Sequence, residues 1–465
     1  MKRVGVALVG CGVVGGGVLR ILAEQGSRLA ERTGVAFDVR RVVVRDPSRP
    51  RALALPVRLE TEPMAAATDP NVDVVVELMG GVEPAGAVLE AAVRAGKSVV
   101  TANKALLAAR GPELFRLARH RGVGIGFEAS CAGGIPVIGA LTQGLVANRI
   151  DAVVGIVNGT CNFILTQMTR KGWSYDRALA EAQRLGYAEA DPTLDVSGRD
   201  AAQKLAILAS LALGAHVREQ DIAVAGIDKV SAADIRFAGE LGYVIKLLAV
   251  ARRVDDAAGR GAVSLRVGPT LVPKSDVLAD VSDAFNAVSV YGSAVGHVLL
   301  YGRGAGAGPT ASAVVADMVQ AGLGLSAAQL AAMPMLAVEG GVSVVSDDAD
   351  LSRYYLRLQA MDRPGVLAKI TRVLGDLQIS VASFLQHDPP AAAADDAGSR
   401  GDASADGCTS GGVGVTVPLV ITTHRASAAA MKRAVAEIGR LDDVRGEVVC
   451  LRLMEVPQEF APAAG

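Results

Sequence analysis

The chain has 465 residues, too many for one ordinary hydrophobic core, which predicts two or three domains. Its 47 basic and 48 acidic residues give a formal net charge of −1, so neither nucleic acid nor an acidic membrane surface is favoured as a partner. The expected partner is a small molecule.

The five cysteines are scattered, which argues against a disulfide framework or structural zinc and fits a reducing cytoplasm. The longest apolar run, residues 205–217, is too short for the roughly 20 residues that span a bilayer.

The N-terminal part alternates short β-rich runs with helical patterns. Residues 3–9 resemble a buried strand, the sequence G-C-G-V-V-G follows at 10–15, and a helical pattern continues to about Arg32. Further β-rich runs lie at residues 36–44, 72–78, 97–102 and 123–127. This alternation predicts a Rossmann-type, doubly wound sheet in a domain at residues 1–133.

The glycine-rich turn after the first strand predicts a dinucleotide site. Gly10, Gly12 and Gly15 follow a strand and open a helix, where backbone N–H groups can hold a pyrophosphate. The alternative is a glycine-rich tight turn in an unrelated α/β fold. At the end of the second strand Arg45 precedes Asp46, and an arginine there can neutralise a ribose 2′-phosphate. NADP(H) is therefore favoured over NAD(H), although a solvated basic loop would give the same pattern.

The pattern changes after about residue 134. Longer helices and fewer strands predict an α+β domain for catalysis and dimerisation at residues 134–330. Residues 331–350, half apolar and half acidic, are predicted to form a linker. The order strand, helix, strand, strand, helix, strand at 351–456 predicts a small ferredoxin-like domain. Within it, the Ala, Asp, Gly and Ser tract at 389–414 has little to bury and is predicted to be a mobile insertion.

The segment GYAEADPTLDVSGRDAAQKLAIL at 186–208 joins a cluster of acids to an apolar helix. If a helix begins near Ser197, Asp200 and Lys204 fall on one face, together with Ile207, Leu208 and Leu211. The plain alternative is an exposed i,i+4 ion pair worth roughly 0.3 to 0.5 kcal/mol. The apolar face argues instead for a lysine that is partly buried among acids. Such a lysine can stay protonated and still give its proton to the alkoxide formed when a carbonyl is reduced.

Two further segments have residues that suit binding chemistry. T-A-N-K at 101–104 closes a strand at the carboxyl edge of the sheet, where ligands of open α/β folds bind. Lys104 could equally be an ordinary exposed lysine. E-A-S-C-A-G-G-I-P at 128–136 can present a carboxylate and backbone carbonyls to one hard cation, although such bends are more often simple turns.

Taken together, these motifs resemble those of bacterial homoserine dehydrogenase in the form that has a C-terminal ACT domain. The resemblance covers nearly the whole chain through the segments VGCGVVG, TANK, EASCAGGIP, NGTCNFIL, GYAEADPTLDVSGRDAAQKLAIL, YGRGAGAGPTASAVVAD and SRYYLRLQAMDRPGVLAKI. It implies reversible, NAD(P)H-dependent reduction of L-aspartate 4-semialdehyde to L-homoserine, on the route to threonine, methionine and isoleucine. A homodimer or homotetramer is also implied.

The resemblance further implies roles for individual residues. Lys204 would donate the proton to the aldehyde oxygen with support from Asp195, Lys104 would lie near nicotinamide and substrate, and Glu189 and Asp200 would bind the substrate. The implied cofactor-binding residues are Gly10, Gly12, Val13, Val14, Gly15, Arg45, Thr101, Lys104, Gly186 and Gly306. A structural sodium ion would be bound by the side chain of Glu128 and by the backbone carbonyls of Cys131, Gly133 and Ile135.

The C-terminal domain departs from the family pattern in two places. ACT domains of this type usually have an asparagine just before the second strand, where this chain has Gln378, and the insertion at 389–414 lengthens a nearby loop. The first ligand loop is kept in Asp362, Arg363, Pro364 and Gly365. A threonine effector is therefore one expectation, and an ACT domain that serves only as a dimer contact is the other.

Two rival functions remain at this stage. A semialdehyde dehydrogenase that forms an acyl-enzyme needs an activated cysteine and a histidine base, and Cys131 and Cys161 have no histidine near them in sequence. The other rival is a catalytically idle amino-acid sensor that kept the ACT domain. The presence of Lys204, Asp200 and Glu189 argues against it.

Overall fold

A computed structural model describes residues 1–49, 58–255, 258–333, 342–386 and 416–455. The predicted mobile insertion at 389–414 and part of the predicted linker, 334–341, lie outside the described residues.

The N-terminal sheet has six parallel strands in the order β3-β2-β1-β4-β5-β6. The strands are β1 (Lys2–Val9), β2 (Val35–Val43), β3 (Leu59–Glu60), β4 (Val74–Glu77), β5 (Ser98–Thr101) and β6 (Ile125–Gly126). The helices are α1 (Val13–Thr33), α2 (Pro63–Thr68), α3 (Ala85–Arg94) and α4 (Lys104–Arg121). The strand order reverses between β1 and β4, which is the switch point where open α/β sheets bind ligands. The predicted doubly wound sheet is therefore confirmed.

The next part of the chain supplies α5 (Val137–Gly139), a π-helical turn (Ala140–Gly144), α6 (Gly159–Lys171), α7 (Tyr175–Arg184), α8 (Thr193–Val196), α9 (Arg199–Leu213), α10 (Ala232–Glu240), α11 (Ala307–Leu323) and α12 (Leu325–Ala332). Its strands are β7 (Ile150–Ile156), β8 (Ala223–Val224), β9 (Tyr243–Asp255), β10 (Gly261–Pro273), β11 (Phe285–Gly292) and β12 (Gly296–Arg303). Helix α11 returns to the N-terminal sheet and packs on α1. A Cβ at Gly17 of α1 would lie 2.5 Å from the carbonyl oxygen of Ala307, so the two helices need a glycine to approach this closely.

The prediction of fewer strands after residue 134 was wrong. Residues 150–303 contain β7 to β12, and β9 and β10 have 13 residues each. The middle of β9, residues 245–251, is buried without a break. A strand that is covered on both faces has no apolar and polar alternation, so its sequence is hard to tell from a buried helix.

The C-terminal unit has the predicted β-α-β-β-α-β order. Its elements are β15 (Tyr354–Met361), α13 (Val366–Asp376), β16 (Val381–Gln386), β17 (Thr416–Thr423), α14 (Ala428–Ile438) and β19 (Val444–Leu453), with a small ladder of β14 (Leu351–Ser352) and β18 (Ala426–Ser427) beside them. Strand β19 pairs in parallel with β10, where Thr270 lies opposite Arg452 and Leu271 opposite Leu453. The ferredoxin-like sheet therefore continues the central sheet. The main path runs β12-β11-β7-β9-β10-β19-β15-β17-β16, and β8 and β13 (Ser343–Val344) also pair with β10.

Two buried carboxylates hold the ferredoxin-like unit against the central one. Asp234, in the first turn of α10, is fully buried and accepts hydrogen bonds from Arg357 Nε at 2.6 Å and from the Tyr355 hydroxyl at 3.2 Å. Asp350, which lies in the predicted linker, forms ion pairs with Arg252 of β9 and Arg452 of β19. Separating the units would leave these charges without their partners.

Among the described residues no single helix has the length and hydropathy of a membrane span, and α11 and α12 meet that test only as a pair bent by 82°. The cytoplasmic location stays a prediction.

Replacing Arg357 tests the anchor at Asp234. Arg357→Met should lower the free energy of unfolding by about 3 kcal/mol or more, because it leaves a buried carboxylate without its cation. Lys229→Met is the matched control, since Lys229 joins the same two units through Glu447 but both side chains are more than 60% exposed, at 69% and 65%. This control should change stability little. Chemical denaturation followed by circular dichroism measures both effects, and equally small losses would show that the buried pair is not an anchor.

Candidate active site

A cleft of about 930 Å³ lies at the switch point of the N-terminal sheet, beyond the ends of β1, β2 and β4. Of the predicted cofactor residues, those that line it are Gly10, Gly12, Val13 and Arg45. The others, which are not among its lining residues, are Val14, Gly15, Thr101, Lys104, Gly186 and Gly306. Helix α1 begins at Val13, and its N-cap, Gly12, has no side chain that could bond the first N–H groups. The first backbone N–H groups of α1 are thus suited to a phosphate in the cleft.

Close packing explains two of the glycines in this turn. Gly10 has a φ of +104°, and a Cβ there would lie 2.6 Å from the carbonyl group of Leu78. A Cβ at Gly15 would lie 2.3 Å from the carbonyl oxygen of Gly10. Both distances are well inside van der Waals contact, so any side chain would displace backbone.

Basic side chains that follow the second strand border the same cleft. Arg45 and Arg49 are both lining residues. The Oδ1 atom of Asp46, the acid of this turn, accepts from the backbone N–H of Ser48 at 2.9 Å and from its hydroxyl at 2.6 Å. The arrangement leaves this edge of the cleft suited to an anionic group.

Asp200 is the centre of a second cluster, which lies on the first turn of α9. Only 5% of this residue is exposed. Its Oδ2 accepts from Lys204 Nζ at 2.7 Å, and its Oδ1 lies 3.0 Å from Lys104 Nζ. Lys204 Nζ also donates to the carbonyl oxygen of Val157 at 2.7 Å. Two lysines, one from α9 and one from the start of α4 in the cofactor unit, therefore share one buried carboxylate.

The electrostatics of this cluster favour ion pairs. Burial alone would raise the pKa of Asp200, but the ammonium groups of Lys204 and Lys104 outweigh it and hold that pKa well below its usual range. Burial would lower the pKa of Lys104, yet Asp200 outweighs that effect and the pKa is raised. The carboxylate is thus ionised and Lys104 is protonated at neutral pH.

Asn158, the N-cap of α6, was missed as an individual site residue. Its side-chain Nδ2 donates to Asp195 Oδ1 and to Asp200 Oδ2, each at 2.8 Å. The Thr160 hydroxyl lies 3.1 Å from Asp195 Oδ2. Among the described residues, no hydrogen bond or ion pair joins Asp195 directly to Lys204. An asparagine before Gly-Thr at the start of a helical pattern is a typical N-cap signal, but the pattern does not reveal its second contacts.

The loop after α7 remains outside this network. Gly186 has a φ of +76° at the end of the helix, and Glu189 is exposed and forms no ion pair within the described part of the chain. The structure therefore does not bring Glu189 into contact with Lys204 or Asp200.

Glu128, at the start of the predicted cation loop, has no cationic partner among the described residues. Burial raises the pKa of Glu128, whose two oxygens accept from the backbone N–H groups of Ile138 and Gly139, both at 2.8 Å. Ala132 and Gly133 follow one another with φ values of +52° and +56°. No group of three or more His, Cys, Asp or Glu side chains in the described ranges is arranged to hold a metal ion. A cation here would depend on backbone carbonyls.

The two cysteines proposed for acyl-enzyme chemistry are unsuited to it. Burial raises the pKa of the Cys131 thiol to about 12 and that of Cys161 well above its usual value. A nucleophilic cysteine needs the opposite shift, toward the thiolate. No observation here favours that rival function.

A Rossmann-type cleft, in a unit that is joined through Lys104 to a cluster of two lysines and a buried carboxylate, indicates the class of protein: a nicotinamide-dependent dehydrogenase. Comparison with known families agrees. The model of the homoserine dehydrogenase NAD-binding domain matches residues 10–128, the homoserine dehydrogenase model matches 136–319, and the ACT domain model matches 354–396.

Individual relatives extend this match over the whole chain. Homoserine dehydrogenase of Pseudomonas aeruginosa is 41% identical over 460 residues, covering 98% of this chain and 100% of the relative. The crystal structure of a homoserine dehydrogenase from Thiobacillus denitrificans matches with a TM-score of 0.87 and 43% identity, covering 98% of this chain and 99% of that one. A hyperthermophilic archaeal homoserine dehydrogenase in complex with NADPH matches with a TM-score of 0.58 and 27% identity, covering 69% and 98%.

The chain belongs to the homoserine dehydrogenase family. It is an oxidoreductase that interconverts L-aspartate 4-semialdehyde and L-homoserine with a nicotinamide cofactor, and the predicted family and function are confirmed.

Proposed function

We propose that Lys204 donates the proton to the carbonyl oxygen of L-aspartate 4-semialdehyde during its reduction and removes it again in the reverse direction. One observation carries this role. An ammonium group has three hydrogens, and Lys204 uses two of them on Asp200 and on the carbonyl of Val157, which leaves one for a substrate oxygen. The side chain is only 13% exposed, so few water molecules compete for that hydrogen.

The neighbouring groups hold Lys204 and the substrate. Asp200 fixes the Lys204 ammonium directly, while Asp195 contributes through Asn158. Glu189 and Asp200 are proposed to bind the ammonium group of the amino acid. Lys104 links the cofactor unit to α9 through Asp200, and we propose that it lies beside the substrate carbonyl.

When bound, the nicotinamide cofactor supplies the hydride. Gly10, Gly12 and the start of α1 are proposed to hold its pyrophosphate, and Thr101, at the end of β5, and Gly186 and Gly306 to approach it. NADP(H) is the proposed preference, supported by Arg45 and Arg49 at the cleft. The archaeal relative with bound NADPH also supports it.

Substituting Lys204 tests the central role. Lys204→Ala should reduce kcat by about 100-fold to 10,000-fold, the range expected for loss of a general acid, with a much smaller change in KM for homoserine. Lys171→Ala, at the exposed end of α6, is the control and should keep kcat. The assay follows NADP reduction at 340 nm with homoserine and no phosphate, which also excludes acyl-enzyme chemistry. Equal losses in turnover and substrate binding would refute the role.

Removing both arginines tests the cofactor preference. Arg45→Ala with Arg49→Ala should lower kcat/KM for NADPH by about 10-fold to 100-fold, since each lost contact to a phosphate weakens binding by a charge-assisted hydrogen bond. The value for NADH should stay nearly unchanged. Arg40→Ala, on the exposed part of β2, is the matched control. A parallel loss with both cofactors would show that these arginines do not read the 2′-phosphate.

A structural sodium ion is proposed at Glu128 with the carbonyls of Cys131, Gly133 and Ile135. The residues fit because the carboxylate is half-buried without a cationic side chain and the ligands are hard oxygens. Sodium chloride should therefore raise the melting temperature above that in choline chloride at equal ionic strength. The difference should vanish in Glu128→Gln, and a difference that persists in this variant would place the ion elsewhere.

Regulation and assembly are also proposals. Threonine is the proposed effector of the ACT domain, although Gln378 has a φ of +57°, a conformation that asparagine adopts more readily than glutamine. Initial rates with and without threonine test this binding.

A homodimer or homotetramer is proposed as the assembly, and the edge strand β12, with Tyr301 55% exposed, offers a surface for it.

A further inference from the structure

The carboxamide of Asn158 joins three parts of the catalytic cluster. One side-chain nitrogen serves both acids, since Nδ2 lies 2.8 Å from Asp195 Oδ1 and 2.8 Å from Asp200 Oδ2. The side-chain oxygen accepts from the backbone N–H of Cys161 at 2.8 Å and so caps α6. The residue is 3% exposed. Both hydrogens of the amide and its oxygen are thus in use.

Asparagine fits this position for a chemical reason. Two carboxylates that approach each other repel unless donors lie between them, and a primary amide offers two hydrogens without adding charge. Aspartate would cap the helix but would place a third negative group there. Serine would also cap it, but a single hydroxyl hydrogen cannot serve both acids.

The same turn of backbone also contacts the ammonium of Lys204. Val157, the residue before Asn158, accepts from Lys204 Nζ through its carbonyl at 2.7 Å. Asp200 Oδ2 accepts from both Lys204 and Asn158. The turn at 157–158 therefore fixes Lys204 in two ways. The carbonyl of Val157 accepts from the Lys204 ammonium, and Asn158 holds Asp200, the carboxylate that pairs with that ammonium.

We propose that Asn158 is a positioning residue for the reaction: it holds Asp195 and Asp200 at a fixed separation and, through Asp200, orients the remaining hydrogen of Lys204 toward the substrate oxygen. This inference rests on the proposed role of Lys204. It assigns Asn158 no direct contact with substrate.

Two variants separate positioning from helix capping. Asn158→Ser keeps a good N-cap and loses the bridge between the two acids, whereas Asn158→Ala loses both. We expect kcat to fall on the order of 100-fold in both, because a displacement of about 1 Å in a catalytic group can cost this much. The melting temperature should fall clearly only in the alanine variant. KM for homoserine should change far less than kcat, and the isotope effect with homoserine deuterated at C4 should increase as the chemical step becomes slower.

Ser427→Ala is the control for capping alone. Ser427 caps α14 in the ferredoxin-like unit by accepting from the backbone N–H of Ala430. This variant should lower the melting temperature and keep kcat. The inference is overturned if Asn158→Ser keeps the wild-type kcat, or if kcat follows the melting temperature across the three variants. A Lys204→Ala enzyme that keeps the wild-type kcat would instead refute the proposed role of Lys204, so the two failures are distinguishable.

Discussion

One buried carboxylate constrains the whole site. Asp200 is almost inaccessible to water, so its charge must be balanced where it lies, and the two balancing cations come from different parts of the chain. Lys204 is one turn further along the same helix, whereas Lys104 begins α4 of the cofactor unit. This ion triad therefore fixes the distance between the sheet that binds the cofactor and the helix that has the proposed proton donor. Hydride and proton must reach adjacent atoms of one carbonyl group, and that geometry depends on this distance.

Close backbone contacts complete the same junction without charges. Helix α11 leaves the central unit and packs on the N-terminal sheet, where Gly17 permits contact with Ala307. A Cβ at Gly133 would lie 2.3 Å from the carbonyl oxygen of Gly304, so the proposed cation loop lies directly against the segment that leads into α11. Glycine at these positions removes side chains that would separate the units. The relative position of cofactor and catalytic helix is thus set by sterics as well as by the triad.

The sequence predicted the parts of this molecule that have a local signature. Alternating strands and helices identified the Rossmann-type sheet, and the spacing of Asp200 and Lys204 placed them on one helical face. The long strands β9 and β10 were missed because burial on both faces removes the alternation that marks a strand. The contact between Lys104 and Asp200 joins residues that are far apart in sequence, and the bridging role of Asn158 depends on three segments meeting. Neither has a periodicity that a single sequence could reveal.

The continuity of the central and ferredoxin-like sheets bears on regulation. Strand β19 pairs with β10, which pairs along its length with β9, and Asp350 joins arginines of β9 and β19 across the same junction. A ligand of the ACT domain can alter catalysis only by the difference in its affinity for two arrangements of the protein. The buried ion pairs resist separation of the units, which favours a shift within the continuous sheet over detachment of the domain as the difference between two such arrangements. β9 also pairs with β7, which leads to Val157 and Asn158, so a change in sheet curvature has a direct structural route to the lysine that these residues hold.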